Sequence, residues 1–180
     1  MTKPSLQFHD LCDRHPGVTL GPSNSYSEAA SVCLDRHHIS PADFTIERRN
    51  STFVASAEWE SPNERTKRSW ANETDRTEDG AYGLALAAIE LTDDLVAVGR
   101  AENGTGADYY LGPANGKLED FEQCFRLEVS GIDKNGRKAL NNRLREKKAQ
   151  AAVGKSNLPA IAAVVGFSAT QILIADVELK

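Results

Sequence analysis

VAVGRAENGTGADYYLG, residues 96–112, and CFRLEVSG, residues 124–131, are separated by a polar loop and together decide the fold. The first stretch has two runs of alternating apolar residues around Asn103-Gly104. That pair tolerates the positive φ of a type I′ turn, so the spacing predicts a hairpin with Glu102 and Asp108 near its end. The second stretch reads as a third strand. Its side chains alternate, placing Phe125, Leu127 and Val129 on one face and Arg126, Glu128 and Ser130 on the other. Asp108 and Glu128 can then meet on one sheet. Like charges a few ångströms apart in a partly dry site do not all stay ionised, and a hard divalent cation such as Mg²⁺ resolves the conflict. The alternative is a half-solvated sheet whose acids pair with Arg100 or Arg126.

Upstream, Ser61-Pro62-x-Glu64 combines a cap, an N1 proline and a reciprocal glutamate, predicting a helix from there to about Glu90, with a kink at Gly80 or Gly83. On a 100° wheel Glu78 falls within about 20° of Ala85 and Ile89, so an acid is expected on the packed face, where it needs a cation or a donor. Downstream, Arg137 to Ala152 predicts a basic helix with Leu140, Leu144 and Ala151 inward, ending at Gly154. PAIAAVVGF (159–167) and QILIADVEL (171–179) follow as strands apolar enough to be covered on both faces. Nearer the N-terminus the pattern predicts a helix over Pro4–His15 and a second from a capping box at Ser25 to His37. Strands over Phe44–Arg49 and Thr52–Trp59 then form an edge hairpin joined at Asn50. The fold class is α/β (α+β): a mixed central sheet flanked by helices. Residues 1–180 form a single domain, with 1–60 as an N-terminal appendage and 61–180 as the core.

The 180 residues, 40% of them apolar, suffice to bury one core. No run approaches the roughly 20 apolar residues of a membrane helix and no basic region is followed by an apolar run, so no signal peptide and a cytoplasmic protein with no membrane partner are expected. The Asn-x-Ser/Thr sites at Asn50, Asn72 and Asn103 are then not glycosylated. The net charge of −5 is uneven: eight basic residues between Asp133 and Lys155 face two acidic ones, a local balance of +6 that leaves −11 elsewhere. A basic helix on an acidic body suits a phosphate backbone, with Arg137, Lys138, Arg143 and Lys147 as contacts, or serves only as a solvated face. Three cysteines without a CxxC pair fit reduced thiols. The spacings Cys12-x2-His15 and Cys33-x3-His37 suit zinc, but equally two core thiols and two surface histidines. Gly99-x4-Gly104-Thr105 lacks the P-loop lysine, and Gly104-x-Gly106 lacks the third glycine of a dinucleotide fingerprint.

The order helix, three strands, helix, strand, strand, with Glu78 on the helix, Asp108 on the second strand and Glu128 on the third, resembles the restriction-endonuclease-like PD-(D/E)xK superfamily. The resemblance spans roughly Ser61 to Lys180. It implies metal-dependent hydrolysis of nucleic-acid phosphodiesters, DNA more readily than RNA, with Mg²⁺ or Mn²⁺ held by Asp108 and Glu128 and with Glu78 as an auxiliary acid. The family lysine falls two residues after the glutamate, where this chain has Ser130. Lys134 and Lys138 are the nearest replacements in sequence, so the catalytic set is Asp108, Glu128, Ser130 and Lys134. The same resemblance leaves open a protein that has lost catalysis and binds nucleic acid or protein partners.

Overall fold

A computed structural model describes residues 3–115 and 123–178. The polar loop expected between the second and third core strands falls largely on residues 116–122, outside that range. The strands are β1 (Ala42–Arg48), β2 (Ser51–Ala57), β3 (Leu95–Arg100), β4 (Tyr109–Pro113), β5 (Phe125–Ile132), β6 (Ala160–Gly166) and β7 (Gln171–Val177). They form one mixed sheet in the order β2-β1-β7-β6-β5-β4-β3. The β1–β7 and β5–β6 pairs are parallel and the others antiparallel. Every residue of β6 is buried, as its unbroken apolar run requires of a central strand.

Helices α1 (Leu20–Asp35) and α3 (Glu73–Asp93) pack together over one face of the sheet, and α4 (Arg137–Ala152) covers the other. Gly80 permits the α1–α3 approach, since a Cβ there would stand 3.0 Å from the backbone of Ala30. Residues 3–60 belong to the same sheet and core: β1 pairs with β7, and Leu6, Phe8 and Leu34 share a cluster with Leu86, Ile89 and Val165. Among the described residues no helix is long and apolar enough to cross a membrane.

Four local expectations are corrected. Residues 4–15 are not a helix: only a 3₁₀ turn forms, at Leu11–Asp13. Leu6 N–H donates to Ser56 O and Ser56 N–H to Pro4 O, so the segment lies along β2 with Leu6 and Phe8 buried in strand-like alternation. Helix α1 begins at Leu20 and ends at Asp35, earlier than Ser25 to His37 at both ends. Its Pro22 sits in the first turn, where an amide hydrogen has no helical partner to lose.

The long helix is two helices, α2 (Glu64–Ser69) and α3. Asn63 and Asn72 cap them, and Ser61 instead donates to Asp35. Asn72 accepts from Thr74 N–H and Asp75 N–H, a stronger local start than continuation through Trp70. Finally, Asn103-Gly104 is not a two-residue turn: β3 ends at Arg100 and β4 begins at Tyr109, with Ala101 N–H donating to Asp108 O to close a longer loop. Positive φ falls on Gly104 and Gly106, and Arg126 holds the loop by donating to Thr105 O at 2.6 Å.

Candidate functional site

Strand β5 extends further than β4. Their ladder reaches the Tyr109–Leu127 pair, and Asp108 N–H then donates to Leu127 O at 2.7 Å. One residue on, the Asp108 carboxylate replaces a strand: Oδ2 accepts Val129 N–H at 2.8 Å, and Oδ1 accepts the Tyr82 hydroxyl at 2.8 Å. Past that point no strand among the described residues pairs with β5 on this side, and α3 and α4 pack against it. A cleft of about 780 Å³ results, with Val129–Ile132 between α3 residues that include Glu73, Thr77 and Glu78 and α4 residues that include Asn142, Arg143 and Lys147. Gly131 lets α3 close on the strand, because a Cβ there would meet Thr77 O at 2.4 Å.

Glu128 points to the α4 side, as the period of two requires, and is only 4% exposed. Lys147 Nζ reaches its Oε1 at 2.6 Å and also donates to Gln150. Burial pushes the Glu128 carboxyl above its ordinary range; Lys147 draws it back, and the charges of Asp108 and Glu78 push it up again. Glu128 is therefore near enough to both other expected acids to feel their charge. Among the described residues, however, no three His, Cys, Asp or Glu side chains form a group able to hold a metal ion.

Glu78 is exposed, contrary to the packed position expected. Ala85 and Ile89 on the same stripe are buried, but at Glu78 the stripe has passed the end of the core and borders the cleft. Ser130 lines the cleft half-buried, and Lys134 stands at the cleft 3.9 Å from Glu73, exposed. The α4 cations separate into groups. Arg137 is ion-paired with Glu47 of β1, Lys138 is exposed, Arg143 lines the cleft beside Glu146, and Lys147 is committed to Glu128.

Nothing in the local motif points to Lys147 as the partner of Glu128. The signal lies in α4, where Leu140, Leu144, Lys147 and Ala151 recur at intervals of four, three and four, placing a lysine on the inward stripe. Tyr82 carries a similar signal: a tyrosine on a buried stripe needs a partner for its hydroxyl. Arg100 stacks over the Tyr82 and Tyr109 rings, 4.6 and 4.8 Å from their centroids, and donates to the Tyr82 hydroxyl at 3.2 Å. Burial, and then the Asp108 charge, raise Tyr82, so it remains a donor to that carboxylate.

Elsewhere along the cleft, buried Asp133 accepts from or pairs with His37 at 2.9 Å, Arg36 at 3.6 Å and Arg76 at 3.9 Å. The residues of the two zinc-like spacings each have other partners. His37 is spent on Asp133, Cys33 donates to Arg76 O, and His15 contacts Glu90 through one ring nitrogen while accepting Ala97 N–H at the other. Cys12 turns to Asp13, so the four residues form no common site. Compared with protein-family models, curated proteins and solved structures, the chain matches none.

Proposed function

We propose that this chain is a metal-dependent nuclease-like hydrolase of nucleic-acid phosphodiesters, working in the cytoplasm with protein partners. One observation carries the reading: a buried carboxylate, Glu128, holds the ammonium of Lys147 at 2.6 Å, and a second oriented carboxylate, Asp108, accepts Val129 N–H, with Lys147 and Val129 themselves lining the cleft. Burying an acid and a lysine together is costly unless the pair has a task that a hydrophobic pair could not perform. The order of elements from α3 to β7, which is that of the resemblance, adds support.

The donor set suits Mg²⁺ or Mn²⁺. Asp108 and Glu128 offer hard oxygens, and Mg²⁺ keeps several waters and needs only one or two carboxylates, so a three-ligand group is not required. When bound, such an ion supplies a more acidic water and neutralises charge on the phosphate. The chain's own residues do the rest. The Tyr82 hydroxyl and Val129 N–H fix the direction of Asp108. Lys147 holds Glu128 and would bring positive charge near the place where the family lysine acts, alongside Lys134, which also lines the cleft. Arg143 lies along the cleft where a phosphate backbone can meet it.

The second reading is an inactive nuclease-fold subunit that binds nucleic acid or protein. It draws on Ser130, which offers a neutral hydroxyl where the family has a cation. Incubating wild type, Asp108→Asn and Lys147→Ala with single- and double-stranded DNA and Mg²⁺ or Mn²⁺ separates the two. Cleavage by wild type, loss in Asp108→Asn and a drop on the order of 10²-fold in Lys147→Ala are expected. Wild type that binds DNA, cleaves nothing and shows no heat of divalent-ion binding by calorimetry would establish the second reading.

A further inference from the structure

The two walls of the cleft differ in charge: the α3 wall presents carboxylates, while the α4 wall carries the cations Arg143 and Lys147 together with Glu146. On the α3 side Glu73 and Glu78 face it, with Asp75 exposed nearby in the same turns. On the α4 side stand Arg143, 3.5 Å from Glu146, and Lys147, bound to Glu128, with Lys134 at the end of β5. Glu78 has no ion-pair partner among the described residues, and Glu73 is more than half exposed with its nearest cations 3.7 and 3.9 Å away. Val129–Ile132 of β5 form the floor between these walls, and Glu128, 4% exposed, lies next to them in the strand.

We infer that the cleft accepts one nucleic-acid strand and rejects a duplex, its backbone lying along α4 and its bases toward α3. The inference rests on the nucleic-acid reading above and names the substrate class of that site. The two backbones of B-DNA flank a minor groove only about 6 Å wide, so a duplex brought down to the β5 floor by one backbone carries the other toward the opposite wall. There it meets Glu73 and Glu78 within about one Debye length, roughly 10 Å at 0.1 M salt, where repulsion is poorly screened. A single strand puts its phosphates against the α4 wall only, where Arg143 and Lys147 stand. Its bases, uncharged and carrying donors and acceptors, then face Thr74 and Thr77, which can bond to them.

The test measures binding without chemistry, in EDTA, by fluorescence anisotropy. The probes are a labelled single strand of about 12 nucleotides, within the span one small domain covers, and a hairpin duplex of the same sequence. At about 50 mM salt the single strand should bind at least roughly tenfold more tightly. Glu73→Lys and Glu78→Lys, both at exposed positions, should each raise duplex affinity several-fold more than single-strand affinity. Arg143→Glu should weaken both. Equal or tighter binding of the duplex by wild type, or acidic-wall variants that raise both affinities alike, would overturn the inference while leaving the nucleic-acid reading in place. Failure of wild type to bind either probe would overturn both.

Discussion

Glu128 shows how a single residue can be placed against its own solvation. Period two turns it from the α3-side core, and α4 then shuts it from water, leaving Lys147 as its only cation at hydrogen-bonding distance among the described residues. Burial raises its carboxyl, so the folded state holds that proton more tightly than the unfolded chain does. The stability this group contributes is therefore present at low pH and declines as pH rises from the ordinary carboxylate range through the raised folded value. Glu128→Gln keeps an oxygen for Lys147 and removes the titration. Melting temperatures of the two proteins followed from about pH 4 to pH 8 should diverge in favour of the variant as pH rises. Parallel curves would mean that the carboxylate is effectively solvated. The identity of Glu128 and its face were legible in the alternation of CFRLEVSG. Its partner was not, because Lys147 lies 19 residues away on an element whose rotation about its own axis depends on packing against β5 and β6.

Elements were legible where side-chain periodicity met a matching partner, and not where local motifs competed. Strands β5 to β7 and helix α4 formed where alternation and apolar runs placed them, because each apolar face found a layer to cover it. The start of α3 was not legible, since two capping signals lay in tandem. Ser61-Pro62 was the more conspicuous, but Asn63 and Asn72 had free side-chain oxygens at the positions where helices began. The N-terminal segment was similarly ambiguous: Leu6, Phe8 and Leu11 suit either a helix or an extended run, and the open edge of β2 decided the matter. Asn72 is the sharper case, because α3 carries Tyr82, Glu78 and one whole wall of the cleft. Asn72→Ala removes the oxygen that accepts two amide hydrogens and should cost about 1 kcal/mol, read as a lower denaturant midpoint at unchanged slope. A loss confined to a few tenths would mean that packing against α1 alone defines the start of α3.

On the scale of the whole molecule, the division into an appendage (1–60) and a core (61–180) meets a sheet that crosses it. Removing residues 1–60 would expose the edge of β7 over Gln171–Ile174, where it now pairs with β1, and would uncover the face of α3 against which α1 packs. It would also take away Arg48, 3% exposed, which donates to both oxygens of Asp93 at the end of α3 and to Asp176 on β7. Asp93 would be left on the helix without its bidentate partner, and losing one member of such a buried pair typically costs about 3–5 kcal/mol. A small domain has only about 5–15 kcal/mol in total, so that loss combined with exposure of Leu84, Leu86 and Ile174 exceeds what the remaining sheet can absorb. The fragment 61–180 should therefore lack cooperative thermal unfolding and bind a hydrophobic dye, while the full chain shows a single transition in circular dichroism. Co-expression of 1–60 as a separate chain should restore the transition, since the β1–β7 and α1–α3 contacts do not depend on the peptide bond between the pieces. A fragment that melts cooperatively by itself, with no dye binding, would mean that the hairpin and α1 are additions to a core already complete without them.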